Sequence, residues 1–179
     1  MAEAFSNSLT RAVGVVTTYS GSTVAAASTA ITVTAATGIG VSDLVDNVNY
    51  IAGTRVKQIV GTTVYTDRAS TNTASATSQI VNFLGVTTAY TSAAATKSIL
   101  IGGTFANNTS SSVNLTVEVH DASAGIQAAI ASKIPVPTGS SFVISDAGKS
   151  VLEANDEVRV FCDTANAIDV NLSILTGVS

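Results

Sequence analysis

The chain carries few residues that could perform acid–base, nucleophilic or metal chemistry. His120 is the one histidine and Cys162 the one cysteine among 179 residues. A Ser-His-Asp triad would have to use His120, and an ordinary zinc site would have to complete its ligands with carboxylates. Because His120 ends an alternating segment on its polar side, we interpret it as an exposed edge histidine. Cys162 stands in an apolar stretch without a cluster of cations to lower its pKa, so we interpret it as a small buried hydrophobe.

Carboxylates clustered in the second half are the other candidates for chemistry. Clustered oxygens suit a hard cation such as Ca²⁺, but the EF-hand spacing of ligands around a central glycine is absent. We therefore interpret residues 153–157 as a charged turn between two strands. From these residues we expect no catalytic residue, no cofactor and no metal ion, and hence a protein that is not an enzyme. The clustered carboxylates are Asp146, Glu153, Asp156 and Glu157.

Charge and hydropathy exclude several kinds of partner. Only 11% of the residues are charged and the net charge is -4, whereas soluble domains average roughly 25% charged residues. No basic patch interleaved with aromatic residues is present, which argues against a nucleic-acid interface. No run of 18 apolar residues predicts a membrane span. The first nine residues lack the basic and apolar segments of a signal peptide, so we expect none.

The composition favours strands over helices. Thr, Val and Ile together make up 61 of 179 residues, and β-branched side chains pack well on a pleated surface. Residues 113–120 alternate strictly between apolar and polar, as a half-buried antiparallel strand does. Strands recur every 8–12 residues or so with turn residues between them, which predicts an all-β sandwich or barrel.

Residues 122–132 are ambiguous between helix and strand. Their alanine content favours a helix by propensity alone. Against a helix, a glycine lies inside the segment and two prolines follow it, which demand extended chain. We predict that residues 127–136 form an edge strand paired with residues 113–120, where proline is tolerated.

Two similar phrases, at residues 15–20 and 85–92, flank a block of short strands and turns. A duplicated strand around such a block indicates an insertion. We therefore predict three parts, which are an N-terminal arm with the first strand (1–20), a small inserted β subdomain (21–85) and a β-sandwich domain (86–179).

The order of several phrases resembles a known family. They are LIGGTFANNT at 100–109, KIPVPTGSS at 133–141, KSVLEANDEVRV at 149–160 and VNLSIL at 170–175, after an opening FSNSLTRAVG at 5–14. This order is similar to that of small β-sandwich virion proteins of tailed bacteriophages, in which I-P-x-P-x-G-S-S and L-E-A-x-D-x-V-x-V phrases recur. Residues 21–85 resemble a compact β module of other phage structural proteins.

This resemblance implies a jelly-roll-like antiparallel β-sandwich and a non-enzymatic structural protein of the virion, assembled in the bacterial cytoplasm. A capsid decoration or cement protein is the leading expectation. Its partners would be further copies of itself, with a trimer favoured by analogy, and virion proteins such as the major capsid protein. A tail, neck or baseplate accessory protein is the alternative, and a carbohydrate-binding or adhesive module is an alternative of another class.

Low charge and a mean hydropathy of +0.42 leave more apolar surface than one core can bury, so we expect burial between subunits. The N-terminal arm holds three apolar residues at positions i, i+4 and i+8. We expect the arm to lie on a neighbouring subunit with these residues as anchors. The open alternative is that they pack on their own domain. The three anchor candidates are Phe5, Leu9 and Val13.

Overall fold

A computed structural model describes residues 3–145 and 149–178, and within these ranges it contains strands and turns without helix. The all-β prediction is confirmed. The strands are β1 (Ala4–Val13), β2 (Val15–Val24), β3 (Ala30–Thr32), β4 (Leu44–Asp46), β5 (Val56–Val60), β6 (Thr63–Thr66), β7 (Ala76–Gly85), β8 (Thr87–Thr91), β9 (Lys97–Asn107), β10 (Val113–Asp121), β11 (Ile126–Val136), β12 (Ser141–Ile144), β13 (Ser150–Leu152), β14 (Glu157–Cys162) and β15 (Ile168–Val178).

The chain divides into two compact units. The sandwich unit comprises residues 1–14 and 87–179, and the insert unit comprises residues 15–86. The predicted divisions follow residues 20 and 85, whereas the compact units divide after Gly14 and Val86. The strand β2 consequently belongs to the insert unit, and β1 belongs to the sandwich unit.

The sandwich unit consists of two antiparallel sheets, which confirms the predicted sandwich. One sheet has the order β1-β15-β9-β12, with β13 also paired to β9, and the other has the order β11-β10-β14-β8. Every second residue of a strand faces the opposite sheet, and these residues form one core. Its fully buried members include Leu100, Phe105, Leu115, Leu152, Val158, Val160, Ile168, Leu172 and Ile174.

Residues 126–136 form a strand, as predicted, although their alanines favour a helix. β11 pairs antiparallel with β10, with Gln127 opposite His120 and Pro135 opposite Asn114. The hairpin turn that joins them is closed by the Asp121 carboxylate, which accepts hydrogen bonds from the backbone N–H groups of Ser123 and Ala124 at 2.9 Å. Pairing with an established strand therefore outweighs the helical propensity of the segment.

The insert unit is a single six-stranded antiparallel sheet with the order β4-β7-β2-β3-β6-β5. β5 and β6 form a hairpin, with Val60 opposite Thr63. Gly61 has φ +60° in the connecting turn, a conformation that glycine adopts without steric cost. The unit has its own core, formed by Val24, Ile31, Val33, Val45, Tyr50, Val56, Val64, Val81 and Phe83.

Because each unit has its own core, a substitution in one core is expected to destabilise that unit. Phe105 and Phe83 are 0% exposed, in the sandwich and insert units respectively. Replacing either by alanine leaves a cavity and is expected to lower the free energy of unfolding by about 3–5 kcal/mol. Urea unfolding followed by circular dichroism measures this, with amide hydrogen exchange showing which unit is weakened. Val48→Ala is the control, since Val48 is 89% exposed and is expected to change stability by less than about 0.5 kcal/mol.

Candidate docking surface

His120 and Cys162, the two residues considered for nucleophilic chemistry, lie far apart in the structure. His120 is half-buried on β10, an interior strand of its sheet, so the interpretation of it as an exposed edge histidine is wrong. In the ladder between β10 and β14, His120 lies opposite Glu157 and Leu115 lies opposite Cys162. Five residue positions therefore separate His120 from Cys162 along the strands, or about 17 Å. Cys162 is fully buried in the sandwich core, and burial raises the pKa of its thiol above the usual value. A buried, protonated thiol is a poor nucleophile.

The carboxylates of Asp156 and Glu153 form hydrogen bonds and an ion pair within the protein itself. The buried Asp156 accepts hydrogen bonds from the backbone N–H groups of Ala122 (3.0 Å) and Glu153 (2.9 Å). Glu153 lies 3.0 Å from the Lys97 ammonium. The turn predicted over residues 153–157 is confirmed for residues 153–156, whereas Glu157 is the first residue of β14. Asp146 lies outside the described residues, and among the described ones no group of three or more His, Cys, Asp or Glu side chains is placed to hold a metal ion.

Asp43 is a buried carboxylate of the insert unit. It is 5% exposed, and its Oδ2 accepts a 2.7 Å hydrogen bond from the backbone N–H of Gly40. Burial raises the pKa of Asp43 above its usual value of 3.8, against the smaller, opposite effect of that hydrogen bond. The side chain thus fixes a turn at the cost of burying a charge.

The raised pKa of Asp43 predicts a pH dependence with a defined sign. The folded chain binds this proton more readily than the unfolded chain, so stability falls as pH rises from about 4 through the folded-state pKa. Asp43→Asn keeps an acceptor for Gly40 without a charge, and it is expected to remove this decline. Urea unfolding at a series of pH values measures it. Glu3→Gln, the same charge change at an exposed position, should leave the decline in place; an unchanged decline in Asp43→Asn would contradict the assignment.

β1 turns its hydroxyl side chains toward its own unit and its large apolar side chains outward. Ser8 and Thr10 pair with the buried Leu172 and Val170 of β15, so they share the inward face. The Ser8 hydroxyl donates a 2.7 Å hydrogen bond to the carbonyl oxygen of Ala89 on β8, at the edge of the opposite sheet. On the other face, Phe5 is 80% exposed and Leu9 is 71% exposed. This is the reverse of the usual inward apolar, outward polar pattern of a sandwich strand.

Val13 does not share a face with the other two anchor candidates. Between Thr10 and Val13 the register with β15 shifts by one residue, which is a β-bulge. Since side chains alternate with a period of two, one extra residue moves everything beyond it to the opposite face. Val13 is therefore 0% exposed in the sandwich core. Residues 4–13 pair with β15 of their own chain, so the structure places this segment in its own sheet rather than as an arm on a neighbour.

The bulge is held by Asp169 on β15. Ala12 has φ +57°, a left-handed conformation that costs a residue with a Cβ roughly 1–2 kcal/mol. Its backbone N–H donates a 2.9 Å hydrogen bond to Asp169 Oδ1, and Arg11 Nε lies 3.8 Å from Asp169 Oδ2. The Asp169 carboxylate thus provides a hydrogen-bond acceptor for the backbone N–H of Ala12, which the bulge removes from the ladder.

Phe5 and Leu9 each begin a row of side chains across the outward face of the sheet that contains β1. Residues opposite one another in the ladders share a face, so these rows follow from the register. We call the two rows and the short polar row between them the outer face. The apolar row is Phe5, Leu175, Ile99 and Val151; the mixed row is Leu9, Asn171, Thr104 and Val143; the polar row between them is Asn7, Ser173 and Gly102.

The outer face is exposed at its edge strands, whereas Leu175 and Ile99 in the middle of the apolar row are half-buried. Its two main rows contain no charged residue. Val143 and Val151, on the strands opposite β1, are 56% and 59% exposed. Sequence reasoning missed these residues together with Ile99 and Leu175. The alternation in β9 and β15 was visible in the sequence, but only the register between distant strands brings these side chains into line with Phe5 and Leu9.

Two ion pairs flank the rows of this sheet. Arg11 and Asp169 form one pair beyond the mixed row. Lys97 and Glu153 form the other beyond the apolar row, at 3.0 Å. The rows of the outer face between these two pairs consist of apolar and uncharged polar residues.

The insert unit also carries exposed apolar side chains. Among them, Val48 in the loop after β4 is 89% exposed and Ile80 on β7 is 62% exposed. The Asn47 side chain holds this loop, because its amide donates to the carbonyl oxygen of Ile80 and its Oδ1 accepts from the backbone N–H of Asn49. Val48 therefore provides a matched exposed apolar residue that lies outside the outer face.

Comparison with family models, with curated proteins and with solved structures finds no match for this chain. In the described part of the chain, no helix is long and apolar enough to cross a membrane. Conclusions about function therefore depend on the geometry above.

The positive φ of Ala12 in the bulge predicts how a glycine at this position changes stability. Glycine adopts a positive φ without steric cost, so Ala12→Gly is expected to stabilise the sandwich unit by about 1 kcal/mol. Ala4→Gly is the control on the same strand and is expected to destabilise by about 0.5–1 kcal/mol, because glycine loses more conformational freedom in a regular strand. Urea unfolding compares both. Equal destabilisation by the two substitutions would show that Ala12 carries no strain.

Proposed function

We propose that this chain is a non-enzymatic structural component of a tailed-phage virion, most directly a capsid decoration or cement protein that oligomerises and docks on the particle. The observation that carries the proposal is the reversed polarity of β1, which places Phe5 and Leu9 on the outer face. Support also comes from the order of sequence phrases that resembles β-sandwich virion proteins.

The energetic argument starts from the cost of exposed apolar surface. Burying a side chain such as Phe or Leu contributes about 1.5–3 kcal/mol. β1 uses its inward positions for hydroxyl groups that bond to β8 and leaves Phe5 and Leu9 in water. With Val143 and Val151 on the opposite side of the same face, the exposed apolar side chains extend over the sheet. Exposed apolar side chains grouped on one face of a sheet are typical of a protein interface.

The same geometry bears on the alternatives. A sugar-binding module usually uses aromatic platforms, whereas Phe5 is the one aromatic residue in the rows of the outer face. This observation favours a protein partner over a carbohydrate. A tail, neck or baseplate accessory protein would use the outer face in the same way, so its distinction from a decoration protein depends on position in the particle.

The test is the location of the chain on purified particles. Antibodies raised against the purified chain would be applied to density-purified particles from the bacterial culture whose genome encodes it, and immunogold labels would be imaged by electron microscopy. Labels distributed over the capsid are the expected result. Labels confined to the tail or its vertex would support the accessory protein instead. Absence of the chain from intact particles, by labelling and by mass spectrometry, would contradict a virion role.

A further inference from the structure

The outer face has a two-fold pattern. Across its four strand positions the apolar row reads apolar throughout, and the mixed row reads apolar, polar, polar, apolar. Both orders are the same when read from either edge of the sheet. A two-fold axis parallel to the strands, midway between β15 and β9, exchanges β1 with β12 and β13 and exchanges β15 with β9, while each row stays at its level.

A second copy related by this axis would place apolar side chains against apolar ones and polar side chains against polar ones. Phe5 would meet Val151 of the partner subunit, and Leu9 would meet Val143 of the partner subunit. Asn171 would meet Thr104 of the partner subunit, where an amide and a hydroxyl can hydrogen-bond. A shallow depression of about 350 Å³ lies beside Leu9, and its lining includes Thr104, Asn171 and the ion pair of Arg11 and Asp169.

The other face-to-face arrangement fits less well. An axis in the plane of the sheet but perpendicular to the strands would reverse the strand direction. With the axis through the polar row, it would lay the apolar row on the mixed row of the partner subunit, with Leu175 against the partner's Asn171 and Ile99 against the partner's Thr104. Burying an amide and a hydroxyl against apolar side chains leaves these polar groups without hydrogen-bond partners. The pattern therefore favours the axis parallel to the strands.

The area of the outer face sets the size of the contact that it can make. Four strand positions at about 4.8 Å and five residues at about 3.3 Å, from the level of Phe5 to that of Leu9, give roughly 19 by 17 Å. The projected area is roughly 320 Å², whereas a standard protein interface buries about 800 Å² of accessible surface per partner. The outer face therefore forms the centre of the contact, and the residues around it must supply the rest of the buried area.

We propose that a second copy of this chain covers the outer face, stacked sheet on sheet about a two-fold axis parallel to the strands. This inference deepens the proposed function, on which it rests for the claim that the face is covered in an assembly, and it names the partner. It assigns a dimeric contact to this face, in place of the trimer that the family resemblance implies.

Site-directed cross-linking tests the pairing. Leu9→Cys and Val143→Cys would be prepared separately, mixed, and treated with a short bis-maleimide. Within one copy these positions are three strand spacings apart, about 14 Å, so the linker is chosen shorter than that. A cross-linked product of twice the 17.9 kDa chain mass is expected from the mixture and not from either variant alone. The wild type controls for Cys162, which is fully buried and is expected not to react.

Sedimentation equilibrium gives the second readout. The wild type is expected at twice the chain mass, and Phe5→Asp with Leu9→Asp is expected to weaken association about 100-fold or more, because both apolar contacts are replaced by charges. Val48→Asp, an equally exposed apolar position of the insert unit, should leave association unchanged. Circular dichroism confirms that each variant keeps its strand content.

Three results would overturn the inference. They are a monomeric wild type at micromolar concentration, a trimeric mass, and cross-linking of Leu9→Cys alone as efficient as that of the mixture. Failure of the two-fold pairing and failure of the virion role can be distinguished by comparing these results with those of the particle experiment. A cross-linked dimer of a chain absent from particles would contradict only the virion role, whereas a particle-bound chain without the cross-link would contradict only the two-fold pairing.

Discussion

The bulge at Arg11 and Ala12 determines which side chains of β1 meet the core and which meet the outside. A strand that enters the core with Val13 inward would, without an extra residue, also turn Leu9 and Phe5 inward. The register shift between Thr10 and Val13 reverses this. The inward side then carries Ser8, whose hydroxyl joins β1 to β8 across the two sheets. One additional residue, held by Asp169, thus sets the polarity of the whole edge strand.

The composition of the outer face follows from that polarity. Phe5 and Leu9 become the first members of two rows that continue through β15 and β9 to Val151 and Val143. β15, the neighbour of β1, obeys the ordinary pattern, with alternate residues of its first part buried in the core. Apolar residues on both sides of one sheet are what a subunit of an assembly requires, since one side stabilises the fold and the other is available to a partner.

Much of the fold could be predicted because it depends on local patterns. The strict alternation of residues 113–120 identified β10, and the prolines after residue 132 identified β11 as an edge strand in spite of its alanines. The bulge could not be predicted, because Ala12 gives no sign of a positive φ, which glycine or asparagine would have given. The rows of the outer face could not be predicted either. They depend on pairing between β1, β15 and β9, which are far apart in sequence, and no local pattern specifies that register.

The most direct test of the central claim measures whether the outer face is covered when the protein associates. Hydroxyl-radical footprinting with mass spectrometry would compare the oxidation of Phe5 and Leu9 in dilute and concentrated protein, with Val48 as the internal reference. The account predicts that Phe5 and Leu9 become protected as concentration rises while Val48 stays reactive. Equal oxidation of all three residues at every concentration would contradict it.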